Sequence, residues 1–341
     1  MKKGVTFWTE GGNPTGMGHV SRCVNLAIEL AARGVRSNFL INNDEAVRSR
    51  LEAESIEYAI CPDNSPGAAK LCEAVVVIDS KKDLTALVKE LKAAGKKVVV
   101  IENSTTEDAD EVIMPSPVFD GAYGQAGLSA GAEFVIMGRN FIKARSNAKP
   151  PGHGMPLRVL VTMGGADPNN LTEFVVEALS EVKGIEVIAA VGPAAKPSRR
   201  LCSLMKEHPG ALSFVTGITD LAPLMMRSHI AFTAVGTTVY ELAYMGVPSV
   251  IIANYEDDAD YLKVFEALGF CESLGFYKNV RGGEVVRAVR MFIKDKNLWK
   301  AMSKNAIDLT DGNGAGRIAD RIERLFYARP AREIVRAASS F

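Results

Sequence analysis

Residues 5–33 read VTFWTEGGNPTGMGHVSRCVNLAIELAAR. An apolar run, Val5–Thr9, meets a glycine-rich loop, and the loop opens an amphipathic helix. Along that helix Val20, Cys23, Val24, Ala27, Leu30 and Ala31 recur at a spacing that gathers them on one face. Residues 158–182, RVLVTMGGADPNNLTEFVVEALSEV, restart the same plan: strand, Gly-Gly turn, helix. Around both stretches short apolar runs alternate with helical ones. The expected strands are 5–9, 37–41, 74–79, 97–102 and 133–137, then 158–163, 186–191, 212–216, 229–234 and 249–253. Continuous runs such as Val75-Val76-Val77-Ile78 suit strands covered by helices on both faces. Strand–helix alternation predicts parallel sheets with right-handed crossovers, and two starts predict two Rossmann-like domains in tandem, an α/β architecture.

Residues 143–156, KARSNAKPPGHGMP, break the alternation with adjacent prolines and almost nothing to bury. The expected division is therefore an N-terminal domain over 1–145, a linker over 146–157, a C-terminal domain over 158–312, and a final helix with a tail over 313–341. Helical spacing of apolar residues over 285–293, 298–309 and 316–326 makes the end of the chain helical.

Bulk properties narrow the function. The 341 residues suit two domains at roughly 100–200 residues each. With 40 Lys+Arg against 40 Asp+Glu there is no basic excess to neutralise a nucleic-acid backbone. No apolar run reaches the ~18 residues of a membrane helix, and Met1-Lys2-Lys3-Gly4 leads into a strand without a signal-peptide core. Five scattered cysteines without a CxxC pair fit reduced thiols and argue against a zinc site. The expectation is a cytoplasmic protein without a membrane span or nucleic-acid partner, with a monomer favoured.

Four segments carry chemistry. The first runs from Gly11 to Arg22 and contains Gly16-Met17-Gly18-His19. A glycine turn before a helix admits a ligand to the backbone, and the free N–H groups favour an anion. His19 sits in the first helical turn, where the positive end favours a neutral imidazole that can accept a proton near pH 7. Three readings stand here. One is a nicotinamide fingerprint, poorly matched because Ser21 replaces the third glycine; another is a simple turn with a capping His; the third is a catalytic or orienting His. His153, His208 and His229 read as structural or solvated.

The second segment, Thr162–Thr172, holds Gly164-Gly165; Asp167 or Asn170 can cap its helix, while the glycine pair points to close ligand approach. In the third, Gly236, Thr237 and Thr238 at a helix start can cradle a diphosphate, and Glu241, in the first turn or so, can accept both ribose hydroxyls. The alternative for Glu241 is a carboxylate answering the helix dipole. The fourth, Asn254-Tyr255-Glu256-Asp257-Asp258, ends a strand at the carboxyl edge, where open α/β sheets bind ligands. Its acid triplet reads as a helix-start charge cluster ahead of a metal site.

In this order the segments resemble a known family. Gly16-x-Gly18-His19-x-x-Arg22, Gly164-Gly165-x-Asp167-Pro168, Gly236-Thr237-Thr238-x-x-Glu241, Gly246-x-Pro248-Ser249 and a strand ending at Asn254 are similar to the pseudaminic acid pathway UDP-sugar hydrolases. They are equally similar to the related spore-coat polysaccharide biosynthesis proteins, and more distantly to GT-B glycosyltransferases of peptidoglycan synthesis. The resemblance covers about residues 4–327. It implies a GT-B arrangement, a UDP-sugar substrate, no cofactor and no metal. It also implies a catalytic His19, sugar-nucleotide contacts at Gly16, Gly18, Arg22, Asp79, Gly164, Gly165, Gly236, Thr237, Thr238, Glu241 and Asn254, and water attack at C1 with inversion. Tyr123-Gly124 and Glu133-Phe134…Gly138–Phe141 resemble the segment closing the family's N-terminal domain. The sequence departs from the pattern at Lys81, at Glu102-Asn103, at Tyr255 and around Arg139-Asn140-Phe141, and several of these positions face the sugar in the family. An inverting glycosyltransferase and a silent sugar-nucleotide binder are the alternatives.

Overall fold

The computed structural model describes residues 3–12, 15–61, 68–103, 108–118, 127–147, 152–193 and 195–327. Among the described residues thirteen strands form two all-parallel sheets. The first sheet contains β1 (Gly4–Thr9), β2 (Arg36–Ile41), β3 (Glu57–Ile60), β4 (Val75–Asp79), β5 (Lys97–Ile101), β6 (Glu111–Met114) and β7 (Leu128–Ala130). The second contains β8 (Leu157–Thr162), β9 (Ile185–Val191), β10 (Leu212–Thr216), β11 (Ile230–Ala234), β12 (Ser249–Ala253) and β13 (Cys271–Phe276). The orders are β3-β2-β1-β4-β5-β6-β7 and β10-β9-β8-β11-β12-β13. Each sheet thus reverses direction once, between β1 and β4 and between β8 and β11, and such a switch point leaves a crevice at the carboxyl edge.

The helices of the first half are α1 (Gly18–Ala32), α2 (Glu45–Glu52), α3 (Thr85–Ala93) and α4 (Arg139–Asn147). Those of the second are α5 (Leu171–Leu179), α6 (Arg199–Glu207), α7 (Ala222–Met225), α8 (Thr237–Tyr244), α9 (Ala259–Ala267), α10 (Gly282–Lys294), α11 (Lys296–Leu309) and α12 (Gly314–Tyr327). Among the described residues no helix is long and apolar enough to cross a membrane. Val75–Ile78 are fully buried, as their unbroken apolar run requires. The α1 face packs as the spacing predicts, except that Ala31 lies exposed and Leu26 is buried in its place. Cys23, Cys61, Cys72 and Cys271 are buried, and Cys202 is partly exposed.

Three expectations need correction. Residues 133–137 form no strand: 132–134 make a short 3-10 turn, and the chain then crosses between the sheets. Along the crossing Phe134 and Ile136 pack into the first core, while Val135 and Met137 pack into the second. Alternation with both sides buried is what a strand looks like in sequence, and here each side faces a different domain. The linker is shorter than expected, because α4 carries the chain to Asn147; residues 148–151 lie outside the described residues. The final helix does not stand apart. It returns to the first half, where Ile318, Ala319 and Ile322 complete the core beside α1. Arg33 fastens it there through Asp320 (2.5 Å), Glu323 (3.2 Å) and the Gly316 carbonyl (3.2 Å). The expected tail, from 328, and Tyr123-Gly124 fall outside the described residues.

Among the described residues, side-chain hydrogen bonds tie the halves across the cleft. Tyr240 Oη donates to Ser116 Oγ at 3.0 Å, Asn140 Nδ2 donates to Asp220 Oδ1 at 2.6 Å, and Arg145 Nη1 donates to the Tyr244 carbonyl at 2.9 Å.

Candidate active site

The β1–α1 loop folds on itself. Gly12 and Gly16 exchange backbone hydrogen bonds of 3.0 and 2.6 Å, and both have positive φ, 96° and 80°. A Cβ on Gly12 would lie 2.1 Å from Asp44 Oδ2, so this turn requires glycine. Asn42, at the end of β2, holds Gly11 from both sides, accepting from its N–H (3.0 Å) and donating to its carbonyl (2.8 Å). The loop is thus anchored to the sheet and delivers the start of α1 to the switch point.

His19 and Arg22 lie three residues apart on α1, on one face, and both meet Asp79 at the end of β4. His19 Nδ1 is 2.6 Å from Asp79 Oδ1. Arg22 donates Nε to Oδ2 at 3.0 Å and Nη2 to Oδ1 at 2.8 Å, and its Nη1 is hydrogen bonded to Glu102. His19 is 5%, Arg22 9% and Asp79 0% exposed, so these charges are held by one another with little help from solvent. Burial alone would raise the Asp79 pKa, but the Arg22 charge and the His19 hydrogen bond outweigh it, and the carboxyl lies below the ordinary range. An ionised Asp79 accepts a hydrogen bond from His19 Nδ1–H and leaves Nε2 as the lone-pair atom, the tautomer a general base needs. Cys23 approaches Asp79 Oδ2 at 3.9 Å; burial and the neighbouring carboxylate push its thiol well up, which leaves it unreactive.

The opposite wall comes from the second sheet. Gly236 is the N-cap of α8 and supplies no side-chain cap, and Thr237 and Thr238 open the helix. A Cβ on Gly18 would sit 3.8 Å from Thr237 Cγ2, so the first residues of α1 and α8 are neighbours. Both positive helix ends converge on one place, an arrangement suited to an anion. Glu241 lies in the second turn of α8, one turn deeper than the sequence reading placed it. Burial and the nearby charge of Asp220 raise its carboxyl to about 7, against a hydrogen bond from Thr238. A small cavity of about 30 Å³ between the halves is lined by Arg22, Pro115, Val135, Ile136, Met137, Thr237, Tyr240 and Glu241.

The remaining segments gather along the same edge. Gly164 has φ +83°, and no atom lies near where a Cβ would project from Gly164, Gly165 or Gly236. Asp167 is the cap of α5, accepting from Leu171 N (2.8 Å) and Thr172 N (3.0 Å), whereas Asn170 makes no side-chain cap. Asn169 Nδ2 donates to Asn254 Oδ1 at 3.0 Å, joining the second segment to the fourth. Glu256–Asp258 form a 3-10 turn, and Asp258 accepts from Tyr255 N at 3.2 Å. Among the described residues no group of three or more His, Cys, Asp or Glu is placed to hold a metal ion.

Of the departures from the family pattern, Asn103 is buried and structural, donating to the carbonyls of Ser80 (3.0 Å) and Lys82 (2.7 Å). Lys81 and Tyr255 are exposed, and the Lys81 charge acts on Asp258 from across the cleft. Sequence reasoning missed Glu102 as a partner of Arg22, and also Asn169, Asp220, Ser116 and Tyr240. An acid directly after a strand at the carboxyl edge was the available signal for Glu102. The other His residues are structural: His229 Nδ1 accepts from Arg158 N (2.8 Å), and His153 bonds the Phe292 carbonyl (2.9 Å).

No family model matches the chain. It is 26% identical over 281 residues to an uncharacterized protein of Methanocaldococcus jannaschii, covering 76% of this chain. The chain spans 58% of that archaeal protein's length. It is 24% identical over 349 residues to the spore coat polysaccharide biosynthesis protein SpsG of Bacillus subtilis, covering 94% of this chain and 98% of SpsG. Among solved structures, Acinetobacter baumannii MurG superposes with a TM-score of 0.70 at 16% identity, covering 94% of this chain and 99% of MurG. S. aureus MnaA, in a co-structure with UDP, gives 0.64 at 12% identity, covering 96% and 99%. These likenesses establish the fold, two Rossmann-like domains in the GT-B arrangement.

Proposed function

We propose that the protein hydrolyses a UDP-linked sugar, of the acetamido, deoxy class, in the synthesis of a surface polysaccharide or nonulosonic acid. The observation that carries this reading is the Asp79–His19 pair at the N-terminus of α1, set opposite the N-terminus of α8. The UDP bound by MnaA and the full-length similarity to SpsG support the substrate class.

In this reading Gly236, Thr237 and Thr238 hold the diphosphate on the α8 N-terminus, with Gly164 and Gly165 beside it, and Glu241 takes the ribose hydroxyls. Gly16, Gly18 and Asn254 border the sugar. His19 Nε2 removes a proton from water, the water oxygen bonds to C1, and the C1–O bond breaks with its electron pair passing to UDP. Asp79 stabilises the imidazolium as it forms, and the two helix ends stabilise the departing diphosphate. The near-complete burial of His19 favours water over a bulky acceptor hydroxyl as the nucleophile. Among the described residues Asp79 and Glu102 are engaged by Arg22, and this reading gives Glu241 to the ribose, which favours a single inverting displacement over a glycosyl-enzyme.

The test is a screen of UDP-, CMP- and GDP-sugars for nucleotide release in water alone, followed by turnover in ¹⁸O-labelled water. Label should enter the anomeric oxygen and leave UDP unlabelled. Label in the β-phosphate, or release only with an acceptor present, would refute hydrolysis at C1.

A further inference from the structure

Orienting an imidazole takes one carboxylate. Here the carboxylate that orients His19 is also gripped by a buried guanidinium, and a second acid grips that guanidinium in turn. We propose that Arg22 and Glu102 are positioning residues for His19: together they fix the plane of the Asp79 carboxylate and set how firmly it holds the Nδ1 proton. The activity arm of the test rests on the base role given to His19 above; the titration arm does not.

The geometry assigns these roles. Arg22 Nε and Nη2 span both oxygens of Asp79, a fork that fixes the carboxylate plane as a single hydrogen bond cannot. Its Nη1 is turned to Glu102, so each of its three nitrogens is engaged by a protein carboxylate. Arg22 Nη2 also lies 3.0 Å from His19 Nδ1, so the cation stands against the ring itself. Glu102 partly cancels that charge.

The backbone around Glu102 points the same way. Glu102 adopts φ +53°, a left-handed conformation that a side-chain-bearing residue enters at a cost. Its N–H is bonded to the Ile113 carbonyl at 2.8 Å, and the next residue, Asn103, bolts this turn to Ser80 and Lys82, the turn that follows Asp79. The strained residue is therefore rigidly placed relative to Asp79, and its carboxylate is what reaches Arg22. The charged and titratable groups around this pair are Asp79 on β4, Arg22 and Cys23 on α1, Glu102 after β5, and Tyr240 and Glu241 on α8. Burial pushes the Cys23 thiol and the Tyr240 phenol up, so both stay neutral through the range tested.

The experiment follows the imidazole titration by NMR in ring-labelled protein. The chain has four histidines, and His19→Gln assigns the signal. In Arg22→Gln the His19 midpoint should rise by about one pH unit or more, and in Glu102→Gln it should fall. Glu102→Gln is nearly isosteric and carries the test if Arg22→Gln does not fold. With a turned-over sugar nucleotide, Arg22→Lys should lower kcat about 10- to 100-fold with KM near wild type, because charge is kept and the fork is lost. A His19 midpoint that does not move in the folded variants overturns the proposal. So does an Arg22→Lys enzyme with raised KM and unchanged kcat, which would make Arg22 a substrate ligand. If the wild-type protein turns over no sugar nucleotide, the proposed function fails, and the opposite titration shifts still decide the roles of Arg22 and Glu102.

Discussion

Both sheets run from their outer edge to a switch point and back, and both present a glycine-bearing loop and a helix start there. What they place at that edge differs. The first half offers side chains: His19, Arg22 and Asp79 are buried and interlocked, with Glu102 behind them. The second offers backbone: Gly165, Gly236 and Thr237 are exposed, and the space in front of Gly164, Gly165 and Gly236 is open. The contrast follows from the tasks. A base needs its tautomer and direction fixed before substrate arrives, which only a packed polar network provides. An anion needs N–H groups already aimed by a helix, and room to reach them. Chemistry on one wall and recognition on the other is the division of labour to be tested.

The largest effect should come from the first wall. His19→Ala should lower turnover about 10²–10⁴-fold, the contribution of a general base, while calorimetry shows UDP affinity within a few-fold of wild type. An equal loss in affinity would break the division. The second wall has its own signature in stability against pH. Glu241 is raised to about 7 from an ordinary 4.5, so the folded state holds a proton there that the unfolded chain has released. Stability from this group is complete below pH 4.5 and is lost as pH climbs towards 7. Glu241→Gln should flatten that fall, leaving the variant roughly 1–3 kcal/mol ahead of wild type at pH 8 by urea denaturation. Parallel curves would mean that this wall is as open at Glu241 as at Gly236. The smallest effect concerns the join: Tyr240→Phe removes one cross-cleft hydrogen bond and should cost about 0.5–1.5 kcal/mol. A drop of several times that size in the urea midpoint would make the two halves one cooperative unit.

The central strands were legible because burial on both faces writes an unbroken apolar run, as at Val75–Ile78 and Ser249–Ala253. The edge strands β3 and β7, together with β6 and β13, were not read; β3 (EYAI), for example, is largely exposed and buries too little to leave a pattern. The opposite error, at 133–137, arose where two cores share one segment. Around the site, glycines and helix starts are local and could be read directly. The partnership of His19 with Asp79 spans 60 residues and is made by the strand order of the first sheet, while that of Tyr240 with Ser116 spans 124 and is made only where the two halves meet. Glu102 was visible only as a departure from a pattern, because its role depends on a backbone turn that composition does not record.

The return of α12 has a consequence for biogenesis. The face of α1 that carries His19 and Arg22 belongs to a core finished by Ile318, Ala319 and Ile322. A ribosome adding about 5–20 residues per second reaches those positions roughly 10–40 s after the first sheet's strands have been made. Throughout that interval the first half has its sheet but lacks the helix that covers it. The two halves therefore cannot mature in the order in which they are synthesised: the second can close its core first, and the wall that carries the base is completed last.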